Sequence, residues 1–210
     1  MFDDTPQQLP ARLPELRIAA REAGFTMSCD ERTGSLLAVL AAGGPRRILE
    51  LGTGVGEGTA WLLSGMDDAA ELVTVELDGA LQAVARTGSG ADDRVTFVTE
   101  DGGTWLENYD GEPFDLVFAD TWPGKFTHLD IALGLVAPGG TYLIDDLLPQ
   151  PGWPEGHEAS VERLLAALTT RRDFRTVRLD WASGLLLAVR TGTGTGPGTG
   201  PGPDRPTGTV

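Results

Sequence analysis

The sequence predicts an α/β fold in which a doubly wound, mostly parallel sheet of seven strands is covered by helices on both faces. Three observations support this prediction. Short apolar runs alternate with helical patterns, which is typical of parallel strands joined by helices. A glycine-rich turn directly follows the first of these runs. The last two runs flank a short break at residues 182–184, which predicts a hairpin and an antiparallel strand at one edge of the sheet.

The elements follow from local patterns along the chain. Seven strands are predicted at RRILELG, ELVTVELD, RVTFVTEDG, FDLVFAD, TYLIDD, FRTVRLDW and GLLLAVRT. The helices between them are predicted at GTAWLLSGM, GALQAVART, TWLENY, FTHLDIALGLVAPGG and ASVERLLAALTTRR. We expect the fourth of these helices to be stopped by Pro138 and the two glycines after it. Two earlier helices, PELRIAAREAGF and ERTGSLLAVLAAGG, are expected to cover a ligand cleft.

Length and composition limit the organisation and the partners. A chain of 210 residues can bury one core, so we expect a single domain over residues 1–190. Residues 191–210 are almost all Gly, Thr and Pro, and we expect them to be disordered. The net charge of −15 argues against nucleic acid or an anionic membrane as a partner. One cysteine, and the lack of a signal-peptide or membrane-span pattern, favour a cytoplasmic protein acting on a small molecule.

The sharpest motif is ELGTGVGEGT, which runs from Glu50 to Thr59 between a strand and a helix. Its glycines allow a tight turn and a close approach of the backbone to a ligand. The dinucleotide fingerprint G-x-G-x-x-G fails, because Glu57 stands at the sixth position counted from Gly52. No G-K-[ST] follows, so a P-loop is excluded. A carboxylate at Glu50 suits a ligand that carries an ammonium group.

An acidic residue ending the first strand, followed by G-x-G-x-G, resembles the S-adenosylmethionine-dependent methyltransferases of the Rossmann-like class. The resemblance implies that S-adenosylmethionine is the cofactor. Glu76, at the tip of the second strand, can accept both ribose hydroxyls with its two carboxylate oxygens. The other residues expected to contact this cofactor lie in the glycine turn and after the second, third and fourth strands: Glu50, Gly52, Thr53, Gly54, Gly56, Gly58, Thr59, Leu77, Asp101, Gly102 and Asp120.

Over roughly residues 25–190 the chain resembles the small metal-dependent O-methyltransferases related to catechol and caffeoyl-coenzyme A O-methyltransferases. The similar parts are TMSCDERTGSLLAVL, RRILELGTGVGEGTAWL, VTVELD, FDLVFAD and APGGTYLIDDLL. The resemblance implies methyl transfer to a hydroxyl group of a small-molecule acceptor. It also implies that Met27 and Cys29 close over the methyl donor, although Cys29 can equally be a small buried thiol. A homodimer is left open.

The same resemblance implies a divalent cation held by Asp120 after the fourth strand and by Asp145 and Asp146 after the fifth. Oxygen ligands without histidine suit Mg²⁺, Ca²⁺ or Mn²⁺. In the family the ion binds two neighbouring substrate oxygens and lowers the pKa of one hydroxyl. Asp146 stands where the family has asparagine, which makes the site more negative. Either a cation sits among the three acids, or one acid acts as a proton acceptor.

The family's base is a lysine three residues after the first aspartate, a position that Pro123 occupies here. Lys125, the only lysine of the chain, lies two residues further on, and it is either that base or a surface residue. His157 is a second candidate base, or a residue at a helix start. Trp122 and Trp153 lie in loops at the carboxyl edge, where they form walls of an acceptor pocket or pack against helices.

Two other functions stay open at this point. The displaced lysine is compatible with metal-independent methyl transfer to N, O or C of a small molecule. A strand-end acid such as Glu76 also suits a non-methylating nucleotide-binding protein or a nicotinamide-dependent oxidoreductase.

Overall fold

A computed structural model describes residues 6, 8–150, 153 and 155–192 of the chain. The strands are β1 (Arg47–Leu51), β2 (Glu71–Glu76), β3 (Val95–Thr99), β4 (Phe114–Ala119), β5 (Val136–Ile144), β6 (Phe174–Leu179) and β7 (Leu185–Arg190). The helices are α1 (Leu13–Glu22), α2 (Glu31–Ala42), α3 (Glu57–Gly65), α4 (Gly79–Ser89), α5 (Gly102–Asn108), α6 (Leu129–Gly134) and α7 (His157–Thr169). The disorder predicted for the tail concerns residues that, from 193 onward, lie outside the described ranges.

All seven strands join one sheet in the order β3-β2-β1-β4-β5-β7-β6. The pairs from β3 to β5 are parallel, and β7 is antiparallel to both of its neighbours. The predicted fold class is therefore confirmed, with the antiparallel strand lying between β5 and the edge strand β6. The direction of winding changes between β1 and β4, where the loops after two adjacent parallel strands leave in opposite directions and open a crevice.

The sheet is covered by apolar side chains on both faces. One cluster contains Trp105, Phe114, Tyr142 and Leu164, and the other contains Leu37, Trp61, Leu62 and Phe118. Burial on both faces explains why the parallel strands are nearly continuous apolar runs in the sequence. No helix in the described ranges has the length and apolar character needed to cross a membrane.

One boundary prediction was wrong. Helix α6 ends at Gly134, and the residues from Val136 onward already belong to β5 rather than to the helix that was expected to run up to Pro138. The pairing of β4 with β5 shifts register between Phe114 and Leu116, which leaves Pro138 and the glycines in a bulge. A bulge accommodates a proline inside a strand because its residues need no ladder hydrogen bond.

The two N-terminal helices pack against α3 and α4, and the segment between them reaches the carboxyl edge of the sheet. Asp30 caps α2 by accepting a hydrogen bond from the backbone N–H of Arg32. Arg17 of α1 pairs with Glu31 of α2 at 2.5 Å and with Glu57 of α3 at 3.3 Å. These ion pairs hold residues 23–30 beside the glycine turn, which lies at the start of α3.

The contact between α2 and α3 requires a glycine at position 34. A Cβ atom there would lie 2.2 Å from Nε1 of the buried Trp61. We expect Gly34→Ala to lower the free energy of unfolding by about 1–3 kcal/mol, because overpacking outweighs the gain of about 1 kcal/mol that alanine brings to a helix. Gly134→Ala is the matched control, since nothing lies within 4 Å of a Cβ at that helical glycine. Urea unfolding of both variants measures the difference, and equal stabilities would contradict the packing argument.

Candidate active site

A cleft of about 650 Å³ opens at the carboxyl ends of the parallel strands. Its position matches the crevice expected where the strand order reverses, between β1 and β4. The volume lies in the range of small-ligand sites. The residues that line it come from the segment before α2, the glycine turn with the start of α3, the end of β2, α4, the loop after β4, and the loop after β5 with the start of α7. Separate stretches of chain therefore form one site.

Glu50 lies at the end of β1, is completely buried and lines the cleft. Its Oε2 atom accepts hydrogen bonds from the hydroxyl of Thr59 at 2.5 Å and from that of Thr74 at 2.6 Å. Its Oε1 atom is buried and has no hydrogen-bond partner among the described residues. Burial raises the pKa of Glu50 to about 7, against the opposing effect of the two threonine donors. A buried acceptor without a donor is costly, so a ligand ammonium group fits this position.

The glycine turn is fixed by Glu76 and by an aromatic ring. The backbone N–H of Gly54 donates to Oε2 of Glu76 at 2.8 Å, and the N–H of Asp78 donates to Oε1 at 2.9 Å. Each oxygen keeps a free lone pair, so the carboxylate can still accept two ligand hydroxyls. The Phe25 ring approaches Gly54 so closely that a Cβ there would lie 2.9 Å from Cζ. Gly54 has φ +51°, a backbone conformation that glycine adopts at little cost and that other residues rarely adopt.

The other glycines of the turn allow close approaches in different directions. A Cβ on Gly52 would lie 3.0 Å from the carbonyl oxygen of Asp120, which brings the ends of β1 and β4 together. A Cβ on Gly58 would come within 2.4 Å of Oε1 of Glu50. Gly56 has φ +91° and packs against Ala85 of α4 rather than lining the cleft. Of these glycines, Gly52, Gly54 and Gly58 line the cleft and Gly56 does not.

Met27 and Cys29 both line the cleft, with Met27 75% exposed. Burial and the nearby carboxylates of Asp120 and Asp145 raise the pKa of the Cys29 thiol well above its ordinary value. The thiol is therefore protonated at neutral pH, and its position suits a packing role better than a nucleophilic one.

Several residues predicted to bind the cofactor lie outside the cleft lining: Gly56, Thr59, Leu77, Asp101 and Gly102. The Thr59 hydroxyl does not line the cleft but donates to Glu50, which does. Asp101 caps α5 by accepting from the backbone N–H of Thr104 at 2.9 Å, and this bond lowers the pKa of its carboxyl group. Leu77 is 70% exposed. Direct contact of these residues with the cofactor stays a prediction.

The loop after β4 is a compact turn built around one carbonyl group. The carbonyl oxygen of Trp122 accepts from the N–H groups of Lys125 at 3.1 Å, Phe126 at 2.8 Å and Thr127 at 3.1 Å. The buried hydroxyl of Tyr142 donates to the carbonyl oxygen of Gly124 at 2.6 Å. These bonds turn the lysine side chain inward, and only 3% of the Lys125 residue surface is exposed. Lys125 lines the cleft and is not a surface residue.

The Lys125 ammonium shares the cleft with acids but is not paired with one. Its Nζ atom lies 5.2 Å from the centre of the Phe126 ring. Within the described part of the chain it makes no ion pair shorter than 4.0 Å. Its charge nevertheless lowers the pKa of Asp120, which burial and the neighbouring carboxylates of Asp145 and Asp146 raise well above the ordinary value. Asp120 therefore binds a proton more readily than an ordinary carboxyl group does.

The three aspartates predicted to hold a metal ion lie near enough to one another that the carboxylates of Asp145 and Asp146 raise the pKa of Asp120. Among the described residues, no group of three or more His, Cys, Asp or Glu side chains is placed to hold one. Asp145 lies outside the cleft lining, where its Oδ1 accepts from Ser183 Oγ and, at 2.7 Å, from the Asp146 backbone N–H. Oδ1 of Asp146 accepts from Nε2 of Gln150 at 2.7 Å. These bonds use one carboxylate oxygen of Asp145 and one of Asp146, and the binding of a metal ion by the three aspartates stays a prediction.

Four aromatic side chains form one wall of the cleft, which we call the aromatic cluster: Trp122, Phe126, Trp153 and His157. The His157 ring stacks on Trp153 with centroids 4.1 Å apart, and it meets Phe126 edge-on at 4.9 Å. His157 is the first residue of α7 and is buried. Burial and the charge of Lys125 lower the pKa of His157, so the ring is neutral at pH 7.

The cleft also contains residues that the sequence did not single out for binding. Phe25 covers the glycine turn, Leu81 comes from α4, and Gln150 comes from the loop after β5. Glu57 lines the cleft too, although it was singled out only as the residue that breaks the dinucleotide fingerprint. The lone aromatic residue at the end of the first helical segment was the signal for Phe25.

A family profile described as a methyltransferase domain matches residues 49–147, which include the glycine turn, Glu76 and the three aspartates. Among solved structures, the O-methyltransferase TomG of Streptomyces achromogenes, in complex with S-adenosylmethionine, superimposes with a TM-score of 0.77 at 26% identity. It covers 88% of this chain and 92% of its own. An O-methyltransferase of Bacillus cereus has the same fold, with a TM-score of 0.80 at 24% identity over 90% and 94% of the two chains. The sheet order and the cleft define a class I methyltransferase fold.

A Mycobacterium avium protein named as an O-methyltransferase is 32% identical over 190 residues, covering 83% of this chain and 85% of that protein. Catechol O-methyltransferase B of Danio rerio is 30% identical over 146 residues, covering 64% of this chain but 55% of that protein. The chain thus spans little more than half the length of the latter. On the similarity to the Mycobacterium avium protein, the chain belongs to the family of S-adenosylmethionine-dependent O-methyltransferases.

The buried carboxylate of Glu50 makes stability depend on pH. Its folded pKa of about 7 exceeds the ordinary 4.5, so the folded protein binds this proton more tightly than the unfolded chain. The stability contributed by the protonated group is complete below pH 4.5 and is lost as the pH rises to about 7. The loss is on the order of 3 kcal/mol. In thermal unfolding without ligands, we expect the stability of Glu50→Gln, relative to that of the unchanged protein, to increase between pH 5 and pH 8.

Glu71→Gln is the control for this experiment, because Glu71 is an exposed acid on the same sheet. A stability difference between Glu50→Gln and the unchanged protein that is the same at pH 5 and pH 8 would contradict the raised pKa.

The loop that turns Lys125 inward depends on Gly124. It has φ +86°, and a Cβ there would lie 2.5 Å from Cδ1 of Leu51 and 2.9 Å from the Tyr142 hydroxyl oxygen. We expect Gly124→Ala to lower the free energy of unfolding by about 2–4 kcal/mol, from backbone strain and steric overlap together. Gly139→Ala is the matched control, with φ +82° and nothing within 4 Å. Urea unfolding of both variants separates backbone strain from steric overlap. Equal losses in the free energy of unfolding would contradict a contribution from the overlap.

Proposed function

We propose that the protein transfers the methyl group of S-adenosylmethionine to a hydroxyl oxygen of a small, flat acceptor. The observation that carries the proposal is the unpaired Oε1 of Glu50, which lies in the same cleft as Glu76, Asp120 and Lys125. A donor-binding half and an acceptor-binding half thus border one cavity. The names of the relatives and the ligand bound to TomG support this assignment.

The donor half is formed by three parts of the chain. Glu50 would hold the ammonium group of the donor through its free oxygen, and Glu76 would accept the two ribose hydroxyls. Glycine at position 54 allows the backbone to approach the ligand, and Phe25 covers the turn from the other side. Met27 and Cys29 border the same space. None of these groups is a cation, which suits a ligand whose sulfur carries a positive charge.

When bound, S-adenosylmethionine would supply a methyl group on a sulfonium, and its sulfur would keep the electron pair of the C–S bond when the methyl group passes to the acceptor oxygen. The chain's own part is to position the acceptor oxygen and to take its proton. The aromatic cluster packs against the acceptor ring, and Asp120 accepts the hydroxyl proton. No step is assigned to a divalent ion, because the three aspartates as placed do not form a ligand set. Alignment of donor and acceptor supplies most of the rate enhancement.

Binding of the donor tests this proposal directly. We expect titration calorimetry to give a dissociation constant for S-adenosylmethionine and no heat for NAD. Glu76→Gln should weaken donor binding by about tenfold, because one carboxylate oxygen is replaced by an amide that cannot accept a ribose hydroxyl. Glu71→Gln, at the other end of the same strand, is the control and should bind as the unchanged protein does. Binding of NAD alone would overturn the proposed function.

A further inference from the structure

We propose that Arg17 of α1 is a positioning residue for the methyl donor. It neutralises the carboxylate of Glu57, so that the carboxylate of the donor's amino-acid end can bind at the start of α3. Arg17 does not line the cleft and acts through Glu57, which does. The inference rests on the proposed methyl transfer and deepens it, because it names the side chain outside the cleft on which donor binding depends.

The start of α3 presents backbone N–H groups to the cleft without a side-chain cap. The N-cap residue is Gly56, which makes no capping hydrogen bond. The first N–H groups of a helix have no partner inside the helix. Here they include those of Glu57 and Gly58, which line the cleft. The start of a helix also carries a positive partial charge, so this end of α3 can bind an anionic group.

The Glu50 carboxylate independently places the amino-acid end of the donor beside this helix start. Its Oε1 atom is buried and has no hydrogen-bond partner among the described residues. A Cβ on Gly58 would lie 2.4 Å from that oxygen, so the oxygen adjoins the first turn of α3. The proposed function assigns the donor ammonium to Oε1. Since the ammonium and the carboxylate of an amino acid are bonded to the same carbon atom, the donor carboxylate also lies beside α3.

The Glu57 side chain brings a negative charge to the same place. Glu57 is the first residue of α3, is 5% exposed and lines the cleft. Its charge is favourable to the helix start, but it repels a second carboxylate at short range, most strongly where water is scarce. Without a counterion, Glu57 would therefore oppose binding of the donor carboxylate.

Arg17 provides this counterion from α1. Its Nε atom lies 3.3 Å from Oε2 of Glu57, and its Nη1 atom lies 2.5 Å from Oε1 of Glu31 on α2. Within the described part of the chain, Arg17 is the only base within 4.0 Å of the Glu57 carboxylate. A guanidinium is charged at every physiological pH, so the compensation is permanent. The N–H groups of α3 are therefore left to bind the donor.

The test compares two ligands without net charge, S-adenosylhomocysteine and methylthioadenosine, by titration calorimetry. Both contain adenosine and a thioether sulfur, but only the first has an amino-acid end. Its response to a changed charge depends on which of its two charged ends lies nearer. We expect Arg17→Met to weaken binding of S-adenosylhomocysteine about tenfold, the size of one charge-assisted hydrogen bond. Binding of methylthioadenosine should stay within about twofold, because it has no carboxylate.

Removal of both charges isolates the electrostatic effect. The double variant Arg17→Met, Glu57→Gln should bind S-adenosylhomocysteine within about threefold of the unchanged protein, because no uncompensated charge is left. Arg17→Lys keeps the charge and should keep most of the affinity. Arg12→Met is the matched control and should bind as the unchanged protein does, because Arg12 pairs at the surface with Glu15 of the same helix.

Four results would overturn the inference. Equal losses for both ligands in Arg17→Met would show that Arg17 only supports the shape of the cleft. Tighter binding of S-adenosylhomocysteine in that variant would place the ligand ammonium beside Glu57. A double variant as weak as Arg17→Met would exclude repulsion by Glu57. A loss of about tenfold in Glu57→Gln alone would show that Glu57 itself holds the ligand.

Thermal unfolding of each variant shows whether it is folded. If Arg17→Met does not fold, Glu57→Gln decides the outcome, and binding of S-adenosylhomocysteine at least as tight as in the unchanged protein supports the inference. If the unchanged protein binds neither S-adenosylmethionine nor S-adenosylhomocysteine, the proposed function fails. If it binds both, but the affinity for S-adenosylhomocysteine does not depend on Arg17, only the inference fails.

Discussion

The hydrogen bonds to the Glu50 carboxylate join three elements that the rest of the site depends on. Thr59 donates from α3, Thr74 donates from β2, and the acid itself ends β1. Both threonine hydroxyls donate to Oε2, so Oε1 has no donor among the described residues. The lack of a Cβ atom on Gly58 leaves space for Oε1. The arrangement costs stability in the absence of a ligand, because a carboxylate is kept out of water. The same cost is recovered when a cationic group enters the cleft.

The acceptor half follows a different principle, because it is built from loops. Asp120 directly follows β4, so the parallel sheet alone places it at the carboxyl edge, independently of the conformation of the loop. The position of Lys125 is instead set by a turn that closes on the Trp122 carbonyl and by the hydroxyl of Tyr142 on β5. A lysine two residues further along the chain can therefore still reach the cleft. Spacing along the sequence is a poor guide to position once a proline-glycine turn intervenes.

The fold could be predicted from the sequence almost completely, because apolar runs and glycine turns are local signals. The end of α6 was missed, since Pro138 and the glycines after it are compatible with both a helix stop and a bulged strand. In the site, the order of acids and glycines predicted that Glu50, Gly54 and Glu76 share one cleft, whereas other residues of the same motifs lie outside its lining. It could not predict that Asp145 turns toward Ser183, because that partner lies in a hairpin 38 residues away. The burial of Lys125 was equally hidden, since it results from contacts with distant strands.

The placement of Phe25 over the glycine turn has a consequence for the order of events during synthesis. The residue leaves the ribosome before any strand of the sheet, yet its partner Gly54 becomes fixed only when β2 supplies Glu76. Arg17 likewise waits for Glu57. The acceptor half needs β5, and Asp145 needs the hairpin before β7. The N-terminal part of the chain is thus secured only by elements up to β2 that follow it, and the loop after β4 is secured only by β5.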